Sequence, residues 1–430
     1  MLHEVLVNAR LGEEIRVARL DNGLPVYVLP KRGYNKKYAT FAVKYGSIDS
    51  KFRTPGGGTV EVPDGIAHFL EHKLFEQEEG NVFDEFAGLG ASANAYTTYT
   101  TTTYLFSATE NFYENLRVLL RFVQDPYFTS ENVEKEKGII EQEIRMYEDM
   151  PEVKVGSNLM RALYSAHPVR VDVVGTVESI RQITTDMLYR CYETFYRPEN
   201  MAVLVVGDVE PSRVFDEVAA GAGFGGRTGG AEIERIFPEE PEDVADARVV
   251  EEMVVATPLL EIGFKDDPQG LRGTDLLRRE VMARVLLEAV FGKSSDLYSS
   301  LYEQGLIDDK FGATHESELE YAASFAGGES KDPDRLHALM MDHIEGVRKR
   351  GLETGAIERA IRKMGGEFVT LLNSPERMAY RFNAYLFKGI NLFDYINALQ
   401  RLTPGMVQSR LEEHLAGSKH AVSIIRPKSR

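Results

Sequence analysis

Residues 183–206 read ITTDMLYRCYETFYRPENMAVLVV, and residues 402–425 read LTPGMVQSRLEEHLAGSKHAVSII. The two stretches align without a gap at an offset of 219 (402 − 183). Thr184 meets Thr403, Met187 meets Met406, Glu193 meets Glu412, and Ala202-Val203 meets Ala421-Val422. Each copy is a helical pattern, a short break and then a strand rich in β-branched residues. At the same offset TFAVKYGS (40–47) faces LLEIGFKD (259–266), strand against strand. Two matches at one offset indicate a duplicated domain of roughly 200 residues.

Outward from that repeat, residues 219–230 (AAGAGFGGRTGG) are half glycine, and the acidic run PEEPEDVAD follows soon after. This composition is that of a flexible linker. The expected organisation is residues 1–218 as a first domain, 219–247 as linker and 248–430 as a second domain. Strands are expected over 25–30, 38–45, 91–98 and 101–108, and helices over 112–124, 130–149 and 184–195. The expected fold class is α+β: two tandem homologous domains, each a mostly antiparallel sheet with helices packed on one face.

Composition narrows the function. A chain of 430 residues is too long for one hydrophobic core. The formal charge of −17 argues against nucleic acid and anionic membranes as partners. Cys191 is the one cysteine, which excludes a disulfide framework and a thiolate zinc cage. No apolar run reaches the ~18 residues that span a bilayer. The first twenty residues lack a basic-then-apolar signal layout, so the expected location is cytoplasmic.

The chemistry is concentrated in GIAHFLEHKLFEQ, residues 65–77. On a helix, His68 and His72 are four apart and share one face, with Glu71 beside them. Two imidazoles at this spacing can reach one metal ion at about 2.0–2.1 Å. Left unpaired in an apolar run, the three groups would be costly to bury. A further ligand is expected from SENVEKEKGIIEQEIRMYED (130–149). On a helical wheel Glu136 and Glu143 fall among Val133, Ile139, Ile140, Ile144 and Tyr147, while Glu134 and Glu141 lie on the charged side. A buried carboxylate needs a positive partner, which a metal held by His68 and His72 would supply. Zinc suits this donor set, although manganese or cobalt can also occupy it. Glu71 is then placed to move the proton of an attacking water in amide hydrolysis. GLGASANAYTTYTTTTYLFSA (88–108) opens with small residues, and near such a site its strand is a candidate edge for pairing an extended peptide.

His68-Phe-Leu-Glu71-His72, then ANAYT, then Glu136 and Glu143, together resemble the pitrilysin-type inverted zinc metallopeptidases, which include insulin-degrading enzyme and the mitochondrial processing peptidase. TFYRPENMAVLVVGDV (194–209) adds to the likeness, which covers nearly the whole chain. The resemblance implies a zinc endopeptidase carrying one Zn2+ per chain. His68, His72 and Glu143 would be its ligands, Glu71 the base and Glu136 a supporting carboxylate. It implies that Ala93, Asn94, Ala95 and Tyr96 form the strand that pairs with a peptide substrate inside a closed chamber. It also implies a homodimer, or a heterodimer with a related zinc-free chain.

One departure bears on the partner. Many members carry LRxxxGLxY in the second half, where the Arg and Tyr bind substrate. Here SLYEQGLIDDKF (300–311) puts Tyr302 in place of the Arg and Asp308 near the place of the Tyr. Arg377 and Tyr380 are of the right type but not in the pattern. At offset 219, His68, Glu71 and His72 become Leu287, Val290 and Phe291, so the second half is expected to form the chamber without a metal of its own.

Overall fold

A computed structural model describes residues 2–53, 57–226, 233–268, 270–415 and 419–428. Two compact units divide the chain, and neither is one stretch of sequence. The first takes Met1–Ile144, Asp172–Phe237 and Leu371–Asn383; the second takes Arg145–Val171, Pro238–Thr370 and Ala384–Arg430.

The first unit is built on a seven-stranded sheet. Its strands are β1 (Leu2–Asn8), β2 (Glu13–Arg19), β3 (Pro25–Pro30), β4 (Lys37–Val43), β5 (Ser92–Thr97), β6 (Thr102–Ala108) and β7 (Met201–Gly207). Their spatial order is β1-β2-β3-β7-β4-β6-β5. The β3–β7 pair is parallel and every other pair antiparallel. The second unit has five strands: β8 (Arg248–Met253), β9 (Leu259–Asp266), β10 (Gly312–Ser317), β11 (Ala322–Glu329) and β12 (His420–Pro427). Their order β8-β12-β9-β11-β10, with β8–β12 parallel, repeats β3-β7-β4-β6-β5 strand for strand.

Eight helices matter here: α1 (Ile66–Leu74), α2 (Phe112–Gln124), α3 (Ser130–Glu148), α4 (Pro151–Leu163), α5 (Thr185–Phe195), α6 (Gly273–Phe291), α7 (Pro375–Leu386) and α8 (Pro404–His414). The repeat is kept to the residue. Helix α5 and α8 start and end 219 apart (404 − 185, 414 − 195), and β7 and β12 start 219 apart (420 − 201). Thr184 and Thr403 cap the two helices, each Oγ1 accepting the amide of the third residue on at 3.4 Å. Such a cap satisfies one of the orphan donors of the first turn.

In the first unit, alternation in the strands sends Phe41, Tyr104 and Phe106 to the face packed by helices. Tyr104 and Phe106 meet Phe75, Phe86, Phe112 and Phe122 there. Helix α7, from the second half of the sequence, lies on the opposite face. Its Phe382 ring stands 4.9 Å from that of Tyr27, and Asn383 donates to Thr40 Oγ1 at 3.1 Å. The second unit has the reciprocal feature. Leu159 and Leu163 of α4, from the first half, close on Gly263 of β9, where a Cβ would come within 2.8 Å of Leu163. Position 151 plus 219 is 370, so α4 and α7 occupy nearly equivalent places in the repeat and are exchanged between the units.

Of the stretch 219–247 read as linker, residues 227–232 lie outside the described residues. Before them Phe224 is buried, and after them Glu234–Arg235 pair with Phe52–Arg53. Arg235 also holds the buried Asp49 at 2.7 Å. Glu240, in the second unit, accepts the amides of Ser165, Ala166 and His167 and pairs with Lys265 Nζ at 2.6 Å.

Candidate metal centre

Helix α1 begins at Gly65, whose φ of 86° is the left-handed conformation that suits glycine. A Cβ there would lie 2.5 Å from the Val174 carbonyl oxygen, so no larger residue fits without moving the start of the helix. Ile66, Phe69, Leu70 and Leu74 anchor α1 in the core. That anchoring turns His68, Glu71 and His72 toward α3 and β5.

The structure brings together the residues singled out in the sequence. His68 Nε2 lies 3.7 Å and His72 Nε2 lies 3.5 Å from the same Glu143 oxygen, Oε2. The two imidazole rings are 4.5 Å apart. Glu136 Oε1 is 3.1 Å from His72 Nδ1. An Nδ1–H donated to that carboxylate leaves Nε2 with a free lone pair on the side of His68 and Glu143. Lys73, fully buried, balances Glu136 at 3.6 Å. The wheel holds for the other acids of α3. Glu134 pairs with Lys137, and Glu141 pairs with Arg181 at 2.9 Å.

These donors fit a zinc ion. Ligand atoms about 2.1 Å from a tetrahedral centre stand roughly 3.4 Å apart. The separations of 3.5 and 3.7 Å from Glu143 match that spacing, and one donor atom from each of the three residues lies within 4.8 Å of the others. The His68 ring is buried, and its Nδ1 has no hydrogen-bond partner among the described residues. Burial, aided by His72, pushes the His68 pKa down to about 3, so the ring is the neutral form that ligates metals. Burial opposes charge on His72 too, but Glu136, Glu71 and Glu143 hold its pKa above the ordinary value. For Glu136 burial is outweighed by His72 and Lys73, and its carboxyl sits below the usual range.

Glu71 is of another kind. Burial lifts its pKa to about 7, against the lowering effect of Thr97 and His72 and with the help of Glu143. Its Oε2 accepts the Thr97 hydroxyl at 2.5 Å. Thr97 ends β5, and β5 is the outer strand of its sheet. A cleft of about 700 Å³ opens there, lined by Glu71, His72, Asn94 and Ala95, with the rings of Phe75 and Phe83 and the side chain of Ile139. Ala93 of β5 pairs with Phe106 of β6. Tyr96 points to the opposite face of the sheet, where its ring meets that of Tyr380.

Sequence reasoning missed Thr97, Lys73 and the apolar lining of the cleft. Lys73 carried a signal, as a cation inside an apolar run. Thr97 carried none, being one of several threonines in a row. Ile139, placed on the apolar arc of α3, is 48% exposed because it borders the cleft rather than the core.

The second unit has no counterpart at the equivalent place. Leu287, Val290 and Phe291 of α6 are buried hydrocarbon. Tyr302 is 54% exposed and lies flat on Tyr298. Elsewhere in that unit Asp266, His315 and His414 come within 4.8 Å, but Asp266 is already held by Arg410 and by Arg279 at 2.7 Å. Two guanidiniums on one carboxylate make this a charge network that repels a cation.

Comparison with known proteins gives the family. Residues 56–177 match insulinase (peptidase family M16), and residues 182–364 match the peptidase M16 inactive domain. An uncharacterised zinc protease, YmfH of Bacillus subtilis, is 45% identical over 422 residues, covering 98% of each chain. A crystal structure described as an M16-like peptidase from Alicyclobacillus acidocaldarius superposes with a TM-score of 0.92 at 39% identity, covering 97% of this chain and 99% of that one. Pitrilysin shares the fold at 16% identity, with a TM-score of 0.74 over 97% of this chain and 45% of its own. The chain therefore belongs to peptidase family M16, the insulinase and pitrilysin type of two-domain zinc protease.

Proposed function

We propose that the chain is a zinc-dependent endopeptidase that hydrolyses extended peptides added as a strand to β5. The observation that supports it most is the convergence of His68, His72 and Glu143 beside Glu71, at the end of a sheet edge that no strand among the described residues covers. His68, His72 and Glu143 would hold one zinc ion, whose Lewis acidity polarises the scissile carbonyl. The chain's own groups do the rest. A peptide on β5 gains backbone hydrogen bonds from the edge, which fix its register. Asn94 and Ala95 bring it to the cleft, and Ala93 and Tyr96 continue the edge. Glu71, held by Thr97 through Oε2, uses its other oxygen to take a proton from the attacking water and pass it to the leaving amine. Glu136 orients His72 and fixes its tautomer.

In this reading residues 1–218 carry the chemistry, 219–247 connect, and 248–430 wall a chamber completed by a second chain. The compartment is cytoplasmic, and no helix among the described residues is long and apolar enough to cross a membrane. A second reading rests on Tyr302 and Asp308, which stand where an Arg and a Tyr are expected. There the chain binds metal but turns over poorly until a zinc-free partner supplies that pair. Metal analysis of the purified chain, with hydrolysis of a quenched peptide before and after chelation, tests both. About one zinc per chain with chelator-sensitive cleavage supports the first reading. Zinc without cleavage supports the second, and a chain that takes up no zinc refutes both.

The ligand assignment has its own check on α3. Glu143→Gln removes a charged donor and should weaken zinc binding by about tenfold or more. Glu141→Gln weakens a surface pairing with Arg181, worth about 0–1 kcal/mol, and should leave metal content unchanged. Zinc titration of the two variants by competition with a chromogenic chelator distinguishes them, and the reverse order would overturn the assignment.

A further inference from the structure

Tyr380 is an oddity on an otherwise well-packed helix. It is 61% exposed, while its neighbours on α7, Met378, Ala379 and Phe382, are buried. Its ring centroid lies 5.8 Å from that of Tyr96, at an interplanar angle of 47°. Both belong to the first unit. The helix is pinned there by Phe382 on Tyr27, by Asn383 on Thr40 and by an ion pair between Glu376 and Lys36. Tyr380 is thus a large ring held on a rigid support beside the free edge of a sheet.

Strand geometry says what that position meets. Successive side chains of β5 alternate between faces. Thr97 and Ala95 turn toward Glu71 and the cleft. Tyr96, between them, turns to the face that carries Tyr380. A peptide paired to the outer edge of β5 alternates in the same way. When one of its side chains faces Glu71, the next in sequence emerges beside Tyr96, about 4.5–5.5 Å away. The Tyr380 ring, 5.8 Å from that of Tyr96 and largely exposed, stands on the same face.

We propose that Tyr380 and Tyr96 form a specificity subsite for an aromatic side chain of the substrate, one residue removed from the side chain that faces Glu71. Offset or edge-to-face packing at ring separations of 4.5–7 Å is the geometry such a pair offers a third ring. This rests on the peptide-pairing reading of β5 above.

The test uses the full-length chain with zinc and two series of quenched peptides, identical except for Phe or Ala at each position in turn. At one position the wild type should cleave the Phe peptide more efficiently by kcat/KM, on the order of 3- to 10-fold. Tyr380→Ala should bring that ratio near one with zinc content unchanged, and Tyr380→Phe should preserve it. A ratio unmoved by Tyr380→Ala, or a wild type with no preference at any position, overturns the proposal. If neither peptide is cleaved, anisotropy of the same labelled pairs decides it without turnover. Tighter binding of the Phe peptide that is lost in Tyr380→Ala keeps the subsite and leaves only the second, partner-dependent reading of the function. Equal binding removes the subsite.

Discussion

Glu71→Gln is expected to lower peptide hydrolysis by about 10²–10⁴ while the zinc content stays as in the wild type. The amide is nearly isosteric with the carboxylate, and its oxygen can still accept the Thr97 hydroxyl that holds Glu71 Oε2. Packing around α1 therefore has no reason to change. What is lost is the basic oxygen. His68→Ala is the companion variant and should lose both zinc and turnover, because it removes one of the converging donors. Metal analysis of the two variants alongside the same peptide assay separates base from ligand. If Glu71→Gln sheds its zinc, or keeps more than about a tenth of wild-type turnover, Glu71 is not the base.

The second large effect belongs to stability and to the other unit. Asp266 ends β9 and faces Arg410 and Arg279. Arg410 is 1% exposed. Asp266→Ala leaves these guanidiniums buried without their carboxylate, and the expected loss is about 3–5 kcal/mol. Urea denaturation measures it, and a loss under about 1 kcal/mol would show that the network is solvated or rearranges freely.

The same network sets a pH dependence. Burial resists charge on Asp266, but His414, Arg410, His315 and Arg279 around it hold its carboxyl well below the usual range. Its folded pKa is thus below the unfolded value of about 3.9. The stability it contributes is present above that value and is lost as pH falls toward the folded one. His414 acts in the same direction over a higher window. Burial lowers its pKa to about 3, so acidification from about 6.5 protonates the unfolded chain first and favours unfolding. The contribution of Asp266 and His414 to stability should therefore shrink as pH falls below 6.5, which urea denaturation of the wild type and Asp266→Ala across that range measures.

Much of this was legible in the chain. The offset of 219 appeared in letters before it appeared as two matching helix–strand pairs, because caps and β-branched strands leave local marks. His68, Glu71, His72, Glu136 and Glu143 stood out because ionisable groups in apolar stripes are costly unless something pairs them. Thr97 and Tyr380 did not stand out. A threonine that steadies a carboxylate 26 residues away looks like any strand threonine, and an exposed tyrosine looks like surface. The exchange of α4 and α7 was hidden for a related reason. Periodicity tells which side of a helix is apolar and is silent about which sheet receives it.

That exchange governs how the chain can be made. The first unit needs residues 371–383, yet 133 residues (238–370) separate them from Phe237. A ribosome adding about 5–20 residues per second takes about 7–27 s over that gap. For that interval the nascent sheet has Tyr27 and Thr40 without Phe382 and Asn383. The half that carries His68, His72 and Glu143 is synthesised without the helix that completes its unit, and a break in the chain near residue 230 would leave each product short of one helix.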